Sequence, residues 1–195
     1  MTLPFSQSCE NNKKFILEVL SRHLKAPGNL IEIAGGTGQH AEFFSAALPH
    51  IHWQSSDIPS NTQVLNQRLV AADLPPALDF DVTQERFEYP QVDYVFSANS
   101  LHIMPATAVI EFFRHMKYLL KPEGILCVYG PFKYEGEFTT PSNAQFDLWL
   151  KGNNPLSGIR DFEKVCELAS GAGLELIEDN AMPANNQLLV WRKLR

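Results

Sequence analysis

The residues best suited to chemistry in this chain are three glycines that follow a short apolar strand. The segment IEIAGGTGQH, residues 31–40, places Gly35, Gly36 and Gly38 between that strand and a helix-forming stretch. Glycine lacks a Cβ, so its backbone can adopt left-handed angles and approach a ligand closely. The first turn of the following helix offers unpaired N–H groups. The segment therefore predicts a turn that holds a nucleotide-like cofactor, with Glu32 adding a carboxylate near the end of the strand.

Strands and helices alternate around this turn. Apolar residues at helical spacing, the capping-box pair Ser60 and Gln63, and short apolar runs define the predicted elements. The βαβ order predicts one α/β domain over residues 1–195, with a mainly parallel sheet and helices on both faces. The short link between the last two strands predicts an antiparallel hairpin. Helices are predicted over residues 16–24, 38–48, 60–72, 109–120 and 162–169, and strands over residues 30–34, 51–58, 78–82, 93–98, 125–130, 174–178 and 187–192.

Composition restricts the classes of partner. The chain has 195 residues, a net charge of −6 and a pI near 5.5, which argues against a broad nucleic-acid surface. Cys9, Cys127 and Cys166 form no C-x-x-C pair and follow no secretory leader, so reduced thiols and a cytoplasmic location are expected. No apolar run reaches the roughly 20 residues of a membrane helix. His50 and His52 have no acidic or sulfur partner at metal-site spacing, so no metal is expected, and the predicted partner is a small-molecule substrate.

Two cofactor patterns fit the glycine turn. Residues 36–41 match the dinucleotide pattern G-x-G-x-x-A, and residues 32–38 match E-x-G-x-G-x-G with Ala34 in place of the first glycine. The second pattern resembles the first motif of class I S-adenosylmethionine-dependent methyltransferases. The helix before strand one and the terminal hairpin also resemble the Rossmann-like, seven-stranded sheet of those enzymes, whereas a dehydrogenase unit does not normally close with that hairpin. The resemblance implies S-adenosylmethionine as the cofactor.

Side chains at the ends of the next strands are predicted to complete the cofactor site. Asp57 ends strand two, where a carboxylate can accept both hydrogen bonds from a ribose diol. The resemblance implies that Asp81, after strand three, holds the adenine amino group and that Val82 lines the ring. Asn99 is predicted to contact the amino-acid end of the cofactor or the substrate. The predicted cofactor residues are Glu32, Ala34, Gly35, Gly36, Thr37, Gly38, Asp57, Ile58, Asp81, Val82 and Asn99.

A narrower resemblance comes from motifs spread over residues 10–193. They are ENNK, AGGTGQH, WQSSD, SANSLHIMP, LLKPEGILCVYGPF, SNAQFD, GIRD and MPANNQLLVWRK. Together they resemble the methyltransferase-like 26 family, long filed as a domain of unknown function. The family implies an S-adenosylmethionine fold and no known substrate. Two positions depart from the family pattern, since Asn11 stands where Arg is typical and Gly35 where Ser is common.

The acceptor side is predicted from residue type and position. His102 follows strand four, at the edge that borders the methyl group in this fold, and is the candidate general base. Residues 130–158 have no clear period and several aromatic side chains, which predicts an irregular substrate-side insertion. Asn185 and Asn186 are predicted in the hairpin turn, with turn formation as an equal alternative to substrate binding. The predicted substrate-binding residues are Asn11, Lys13, Phe132, Asn143, Asp147, Arg160, Asn185 and Asn186.

These patterns favour an enzyme that transfers the methyl group of S-adenosylmethionine to an unidentified small or medium acceptor. No N-P-P-Y or D-P-P-Y string follows strand four, which disfavours methylation of amide or base amino groups by that device. Two alternatives stay open. One is a non-catalytic S-adenosylmethionine sensor or partner subunit, and the other is an NAD(P)-dependent oxidoreductase.

Overall fold

Ten strands and six α-helices alternate along residues 3–85 and 87–195, the part of the chain that the computed structural model describes. None of the helices in those ranges is both long and apolar enough to cross a bilayer. The strands are β1 Gly28–Ile33, β2 Ile51–Asp57, β3 Leu78–Asp79, β4 Val92–Ala98, β5 Leu120–Gly130, β6 Phe132–Tyr134, β7 Glu137–Phe138, β8 Arg160–Asp161, β9 Leu174–Met182 and β10 Asn186–Lys193. The helices are α1 Gln7–His23, α2 Gln39–Ala47, α3 Pro59–Ala71, α4 Ala106–Leu119, α5 Pro141–Asn153 and α6 Phe162–Gly171.

The central sheet has the strand order β3-β2-β1-β4-β5-β10-β9. Strands β1 to β5 pair in parallel, and β10 runs antiparallel between β5 and β9. The predicted seven-stranded sheet with its C-terminal antiparallel hairpin is therefore confirmed. The strand order reverses between β1 and β4, since β2 and β3 lie to one side and β5 lies to the other. In open α/β sheets, ligands bind at the carboxyl ends of the strands at such a reversal.

Helices cover both faces of this sheet, as predicted. Helices α1, α2 and α3 pack on one face, where the rings of Phe44 and Phe96 meet edge to face at 5.5 Å. Helices α4 and α6 pack on the other face, around Phe112, Phe113 and Trp191. Strands that are buried on both faces read as continuous apolar runs rather than as alternating ones. This explains why their positions were visible in the sequence.

The third predicted strand is shorter than expected. Strand β3 ends at Asp79 rather than at Val82. Beyond Asp79 the chain leaves the sheet, because Phe80 turns inward and stacks on Phe87 with the ring centroids 3.9 Å apart. Val82 then packs into the same core. The residues predicted to follow strand three therefore lie on a turn, not at a strand end.

The capping box predicted at Ser60 and Gln63 does not form. Helix α3 begins at Pro59, with Ile58 as its N-cap and no side-chain cap. Proline at the first helical position has no N–H that needs a partner and already has a helical φ. The helix therefore starts two residues earlier than the capping pattern indicated, because Ser60 as N-cap would make Asn61 the first helical residue.

The segment 121–124 continues a strand instead of separating a helix from one. Strand β5 begins at Leu120 and its ladder with β4 contains a register shift. Glu123 has a φ of +65°, and Lys121 Nζ lies 2.8 Å from a carboxylate oxygen of Asp93 on β4. The predicted end of the helix is confirmed, since α4 stops at Leu119, but the strand begins at Leu120 rather than at Ile125. The segment 121–124 belongs to the sheet as an irregular part of β5.

Residues 130–158 are more regular than predicted. They contain β6, β7 and the 13-residue helix α5, whose N-cap is Thr140. Strands β7, β6 and β8 form a second, three-stranded sheet. The buried residues of α5 are Asn143, Asp147 and Leu150, which have helical spacing. Two of the three are polar, so the helix has no apolar stripe by which sequence periodicity could reveal it.

Truncation of Phe112 tests the packing of α4 against the sheet. Phe112 is fully buried, so we expect Phe112→Ala to lower the free energy of unfolding by about 3–5 kcal/mol. Ile110 on the same helix is 48% exposed, and Ile110→Ala should change it by less than about 1 kcal/mol. Denaturant titrations of both variants measure the difference, and equal losses would contradict the packing described.

Candidate functional site

The turn between β1 and α2 holds three residues in the left-handed region. Ala34, Gly36 and Gly38 have φ values of +63°, +58° and +75°. An L-residue in this region costs about 1–2 kcal/mol, so Ala34 is strained where the pattern has glycine. Backbone hydrogen bonds hold the turn, since Gly35 N donates to Ser56 O at 3.0 Å and Gly38 N donates to Gly35 O at 3.0 Å. The predicted glycine turn is present at the predicted position.

The three glycines of the turn serve different purposes. A Cβ on Gly35 would lie 3.0 Å from Leu65 and 3.2 Å from the Glu32 carboxylate. A Cβ on Gly38 would lie 3.1 Å from Leu65 and 3.2 Å from Arg68. These two glycines allow α3 to pack closely against the turn. A Cβ on Gly36 would have nothing within 4 Å, so Gly36 alone presents an open side.

Glu32 lies beneath the turn, away from solvent. Its side chain is buried, and Oε2 accepts hydrogen bonds from Ser55 Oγ at 2.6 Å and from Trp53 Nε1 at 3.1 Å. Burial raises the pKa of Glu32 and the two hydrogen bonds lower it. Burial is the larger effect, and the pKa is about 7. The Asp57 charge raises it further. Glu32 therefore supports the turn from below, and its role as a cofactor ligand stays a prediction.

The Asp57 carboxylate connects the glycine turn to β2 and α3. Oδ2 accepts a hydrogen bond from Gly36 N at 2.8 Å, and Oδ1 accepts from Ile58 N at 2.8 Å and from Asn61 Nδ2 at 3.0 Å. A carboxylate has about four lone-pair positions, so one position on Oδ2 is left. Asp57 can thus accept one ribose hydroxyl as it stands, and a second only if the Asn61 amide moves away.

Asp81 and Val82 differ in their availability. Asp81 is partly exposed, and its Oδ1 accepts hydrogen bonds from the N–H and the hydroxyl of Thr83 at 2.9 and 2.7 Å. Within residues 3–85 and 87–195, its Oδ2 accepts no hydrogen bond. Val82 is only 5% exposed and belongs to the core, because the chain turns inward after Asp79. That the Val82 side chain lines an adenine ring stays a prediction.

Asn99 follows β4 and lies at the edge of a cavity. Its φ is +55°, and its backbone N–H donates to Tyr129 O at 2.8 Å. The cavity has a volume of about 380 Å³ and lies at the carboxyl ends of β4 and β5, below α1, α5 and the β9–β10 turn. Two larger depressions, of about 610 and 1060 Å³, lie elsewhere and do not include the glycine turn. The residues lining the smaller cavity are Ser8, Asn11, Asn12, Asn99, Tyr129, Pro131, Ser142, Asn143, Phe146, Pro183, Ala184, Asn185 and Asn186.

Four of the predicted substrate residues line this cavity, and all four are asparagines. Asn11 comes from α1, Asn143 from α5, and Asn185 and Asn186 from the β9–β10 turn. Asn143 Nδ2 donates to Asn185 O at 3.0 Å, which connects α5 to that turn. The structure thus brings together residues from three distant parts of the chain.

The charged and aromatic members of the predicted substrate set lie elsewhere. Lys13 pairs with Glu10 at 2.7 Å and lies over the Phe43 ring. Phe132 is 2% exposed and packs in the core. Each side chain is directed at the protein itself, and the assignment of Lys13 and Phe132 to substrate binding stays a prediction.

Asp147 and Arg160 stabilise the loop around residues 154–159. Asp147 is 3% exposed, its Oδ1 accepts from Ile159 N at 2.7 Å, and its Oδ2 pairs with Lys151 at 2.6 Å. The Arg160 guanidinium donates to the carbonyl oxygens of residues 101, 104 and 156. These polar atoms bond to backbone groups and, for Asp147 Oδ2, to Lys151, so the assignment of both residues to substrate binding stays a prediction.

His102 lies behind the cavity wall. It is 5% exposed, its ring meets Phe146 edge to face at 5.5 Å, and it is not among the lining residues. Burial and, to a smaller extent, the Arg160 charge lower the pKa of His102 to about 4. The imidazole is therefore neutral at pH 7. Its role as general base stays a prediction, and Phe146 separates it from the cavity.

Several residues near the cavity and the turn were missed from the sequence. Asn12 is 5% exposed on α1 and bonds to His40 at 2.8 Å, and Tyr129 directly precedes the last residue of β5. Gln39 also connects α1 to the turn, because its amide bonds to Ser6 O at 3.3 Å and to the Glu10 carboxylate at 2.9 Å. The signal was present in the ENNK segment, which places polar residues on the face of α1 that packs inward.

The fold and this site define a Rossmann-like protein with the class I methyltransferase architecture. An O-methyltransferase family protein from Burkholderia thailandensis matches with a TM-score of 0.81 at 21% identity, over 93% of this chain and 56% of that one. The S-adenosylmethionine-dependent methyltransferase SibL matches with a TM-score of 0.79 at 18% identity, over 96% of this chain and 56% of SibL. Human N-acetylserotonin methyltransferase, whose structure was solved with S-adenosylmethionine, matches with a TM-score of 0.72 at 17% identity. The match covers 94% of this chain and 55% of the human protein. This chain spans little more than half the length of these proteins.

The family is established by the sequence as a whole. Residues 3–193 match the model of a family described as "Protein of unknown function (DUF938)". The chain belongs to this family.

The ionisation of Glu32 should make stability depend on pH. Since the folded-state pKa of about 7 lies above the ordinary 4.5, the folded protein holds the proton longer than the unfolded chain. Stability from this group is therefore lost as pH rises from about 4.5 to 7, by roughly 3 kcal/mol in total. The advantage of the wild type over Glu32→Gln should shrink over that range in unfolding titrations. Glu18→Gln at an exposed position is the control, and a pH-independent difference for Glu32→Gln would contradict the assignment.

Proposed function

We propose that the protein is an S-adenosylmethionine-dependent methyltransferase that acts on a small-molecule acceptor. The observation that carries this proposal is the open side of Gly36, whose N–H donates to Asp57, at the reversal of the strand order. The fold matches to methyltransferases support it. Within the family, the motifs of residues 10–193 favour kinship with methyltransferase-like 26. Free thiols at all three cysteines agree with a cytosolic location.

The residues at the turn fit this cofactor. The space beside Gly36 leaves room for the backbone to contact a ligand, and Asp57 Oδ2 has a lone pair for a ribose hydroxyl. Asp81 Oδ2, which accepts no hydrogen bond within residues 3–85 and 87–195, is proposed to accept one from an adenine amino group. When bound, S-adenosylmethionine supplies a methyl group on a positively charged sulfur, which makes that carbon electrophilic. The chain's part is to hold the reacting groups in line and to exclude competing nucleophiles.

The acceptor is proposed to occupy the cavity that Asn99 lines. An acceptor hydroxyl or amine loses its proton as its lone pair forms the new bond to carbon, and the sulfur keeps the electron pair of the broken bond. We propose that residues 130–158 form the substrate side through α5, and that Asn11, Asn143, Asn185 and Asn186 bind the acceptor. Because Phe146 separates His102 from the cavity, we propose that positioning rather than proton abstraction supplies most of the rate, with the proton passing to water.

Calorimetry with S-adenosylhomocysteine and with NAD tests the cofactor before any acceptor is known. Binding of S-adenosylhomocysteine and not of NAD is expected. Transfer of label from methyl-labelled S-adenosylmethionine into a metabolite extract then tests the reaction. Tight binding of S-adenosylhomocysteine without methyl transfer would favour a sensor over an enzyme. Binding of NAD alone would favour an oxidoreductase.

A pair of glycines separates backbone strain from ligand contact. Gly36 and Gly136 both have positive φ, +58° and +79°, and neither has an atom within 4 Å of a built Cβ. Gly36→Ala and Gly136→Ala should therefore cost similar stability, about 1 kcal/mol each. Only Gly36→Ala should weaken S-adenosylhomocysteine binding, by about tenfold or more in calorimetry, equivalent to about 1.4 kcal/mol. Equal affinities in the two variants would remove the turn from the cofactor site.

Substitution of His102 separates positioning from base catalysis. His102→Gln keeps most of the side-chain volume but cannot accept the proton. We expect turnover to fall by less than about tenfold, with an unchanged dissociation constant for S-adenosylhomocysteine. A loss of about 10²–10⁴-fold with unchanged cofactor affinity would instead establish His102 as the general base. Steady-state kinetics and a melting curve of the variant make this measurement.

A further inference from the structure

The acceptor cavity has an uncharged wall. Among its described lining residues, every side chain is an amide, a hydroxyl, an aromatic ring, a proline ring or a methyl group. The charges nearest along α1, Glu10 and Lys13, pair with each other instead. Two histidines stand behind the wall, His40 against Asn12 and His102 against Phe146, and burial lowers the pKa of each to about 4. They are neutral at pH 7, so no opposite charge faces a charged ligand.

The uncharged wall of the cavity disfavours charged ligands. A carboxylate, phosphate or ammonium that leaves water for a site without a counter-charge loses its hydration and gains little in return. An uncharged polar molecule loses far less, because amides and hydroxyls can replace the hydrogen bonds of water. The cavity volume of about 380 Å³ is of the size that holds small molecules.

Asn143 fixes the direction of one hydrogen bond in the cavity. Its Nδ2 donates to Thr139 Oγ1 at 2.9 Å and to Asn185 O at 3.0 Å. A carbonyl oxygen can only accept, so the atom that faces Asn185 O must be the nitrogen. Both amide hydrogens are then used within the protein, and Oδ1 remains as an acceptor.

The oxygen of Asn143 is accessible to a ligand. Within residues 3–85 and 87–195, Trp191 Nε1 is the one side-chain nitrogen or oxygen that is both buried from solvent and without a hydrogen-bond partner. Asn143 Oδ1, which has no partner within these ranges, is therefore not sealed, although the residue is only 5% exposed. Phe146 follows three residues later on α5, on the same side of the helix, and also lines the cavity. An acceptor oxygen and an apolar ring thus lie side by side.

We propose that the methyl acceptor is an uncharged, planar molecule that packs against Phe146 and is anchored by a hydroxyl or N–H group donating to Asn143 Oδ1. This inference rests on the proposed methyl transfer and specifies its substrate class. The anchoring group is distinct from the atom that receives the methyl group. Asn143 is therefore a binding residue and not a catalytic one.

Charge fractionation of a metabolite extract tests the substrate class. The extract, from the organism that encodes the protein, is separated by ion exchange at pH 7 into neutral, anionic and cationic fractions. Each fraction is supplied with methyl-labelled S-adenosylmethionine and the wild-type protein. Label should appear in the product of the neutral fraction. The melting temperature of the protein saturated with S-adenosylhomocysteine should also rise in that fraction and not in the others, which is a readout independent of turnover.

The outcomes distinguish this inference from the proposed function. Label that appears mainly in the anionic or cationic fraction overturns the uncharged acceptor and leaves the methyltransferase proposal intact. Binding of S-adenosylhomocysteine without label in any fraction overturns both.

Variants of α5 test the anchor in the neutral fraction. Asn143→Ala should raise the apparent KM of the labelled acceptor about tenfold or more, with kcat changed by less than about threefold. Asn143→Asp, which turns a negative charge towards the Asn185 carbonyl, should impair labelling at least as strongly. Asn153→Ala is the matched control, because Asn153 lies on the same helix, is not among the described residues that line the cavity, and donates to Trp149 O. An unchanged KM in a folded Asn143→Ala variant overturns the anchor.

Discussion

The hydrogen bond from Gly36 N to Asp57 Oδ2 is the contact on which the site depends. A turn with three residues at positive φ is unfavourable in isolation, so its shape has to be imposed from outside. The Asp57 carboxylate does this at 2.8 Å, and its other oxygen receives Ile58 N and Asn61 Nδ2. One buried side chain thereby fixes the first turn, the end of β2 and the start of α3. The open side of Gly36 exists because this carboxylate holds the turn.

The acceptor cavity follows a different physical rule from the cofactor turn. Its asparagines satisfy much of their hydrogen-bonding capacity among themselves and with backbone carbonyls, as in the bond from Asn143 to Asn185 O. A buried polar network that is nearly satisfied is rigid, and each remaining atom has a defined direction. The net charge of −6 resides outside this wall. The chain thus combines an acidic surface with a neutral interior site.

The sequence predicted the strands that are buried on both faces. It did not predict which polar side chains form hydrogen bonds within the protein. The sheet could be predicted because its central strands contain apolar runs, such as residues 94–96 of β4 and 125–129 of β5. The glycine turn could be predicted because left-handed backbone restricts residue type. Helix α5 could not, because its buried face carries Asn143 and Asp147. Among the predicted substrate-binding residues, the four asparagines line the cavity, whereas the Arg160 guanidinium donates hydrogen bonds to three backbone carbonyls. Residue type alone does not reveal whether a polar side chain faces a ligand or its own chain.

The position of β10 has a consequence for how the protein is made. This strand lies between β5 and β9, yet its residues leave the ribosome after those of every other strand in the sheet. Until they emerge, the apolar edge of β5 that will receive Leu188 and Val190 is exposed as an unpaired strand. Long-range pairing of this kind also slows folding. During synthesis the growing chain therefore passes through a stage in which a chaperone that covers hydrophobic strands can protect it from aggregation.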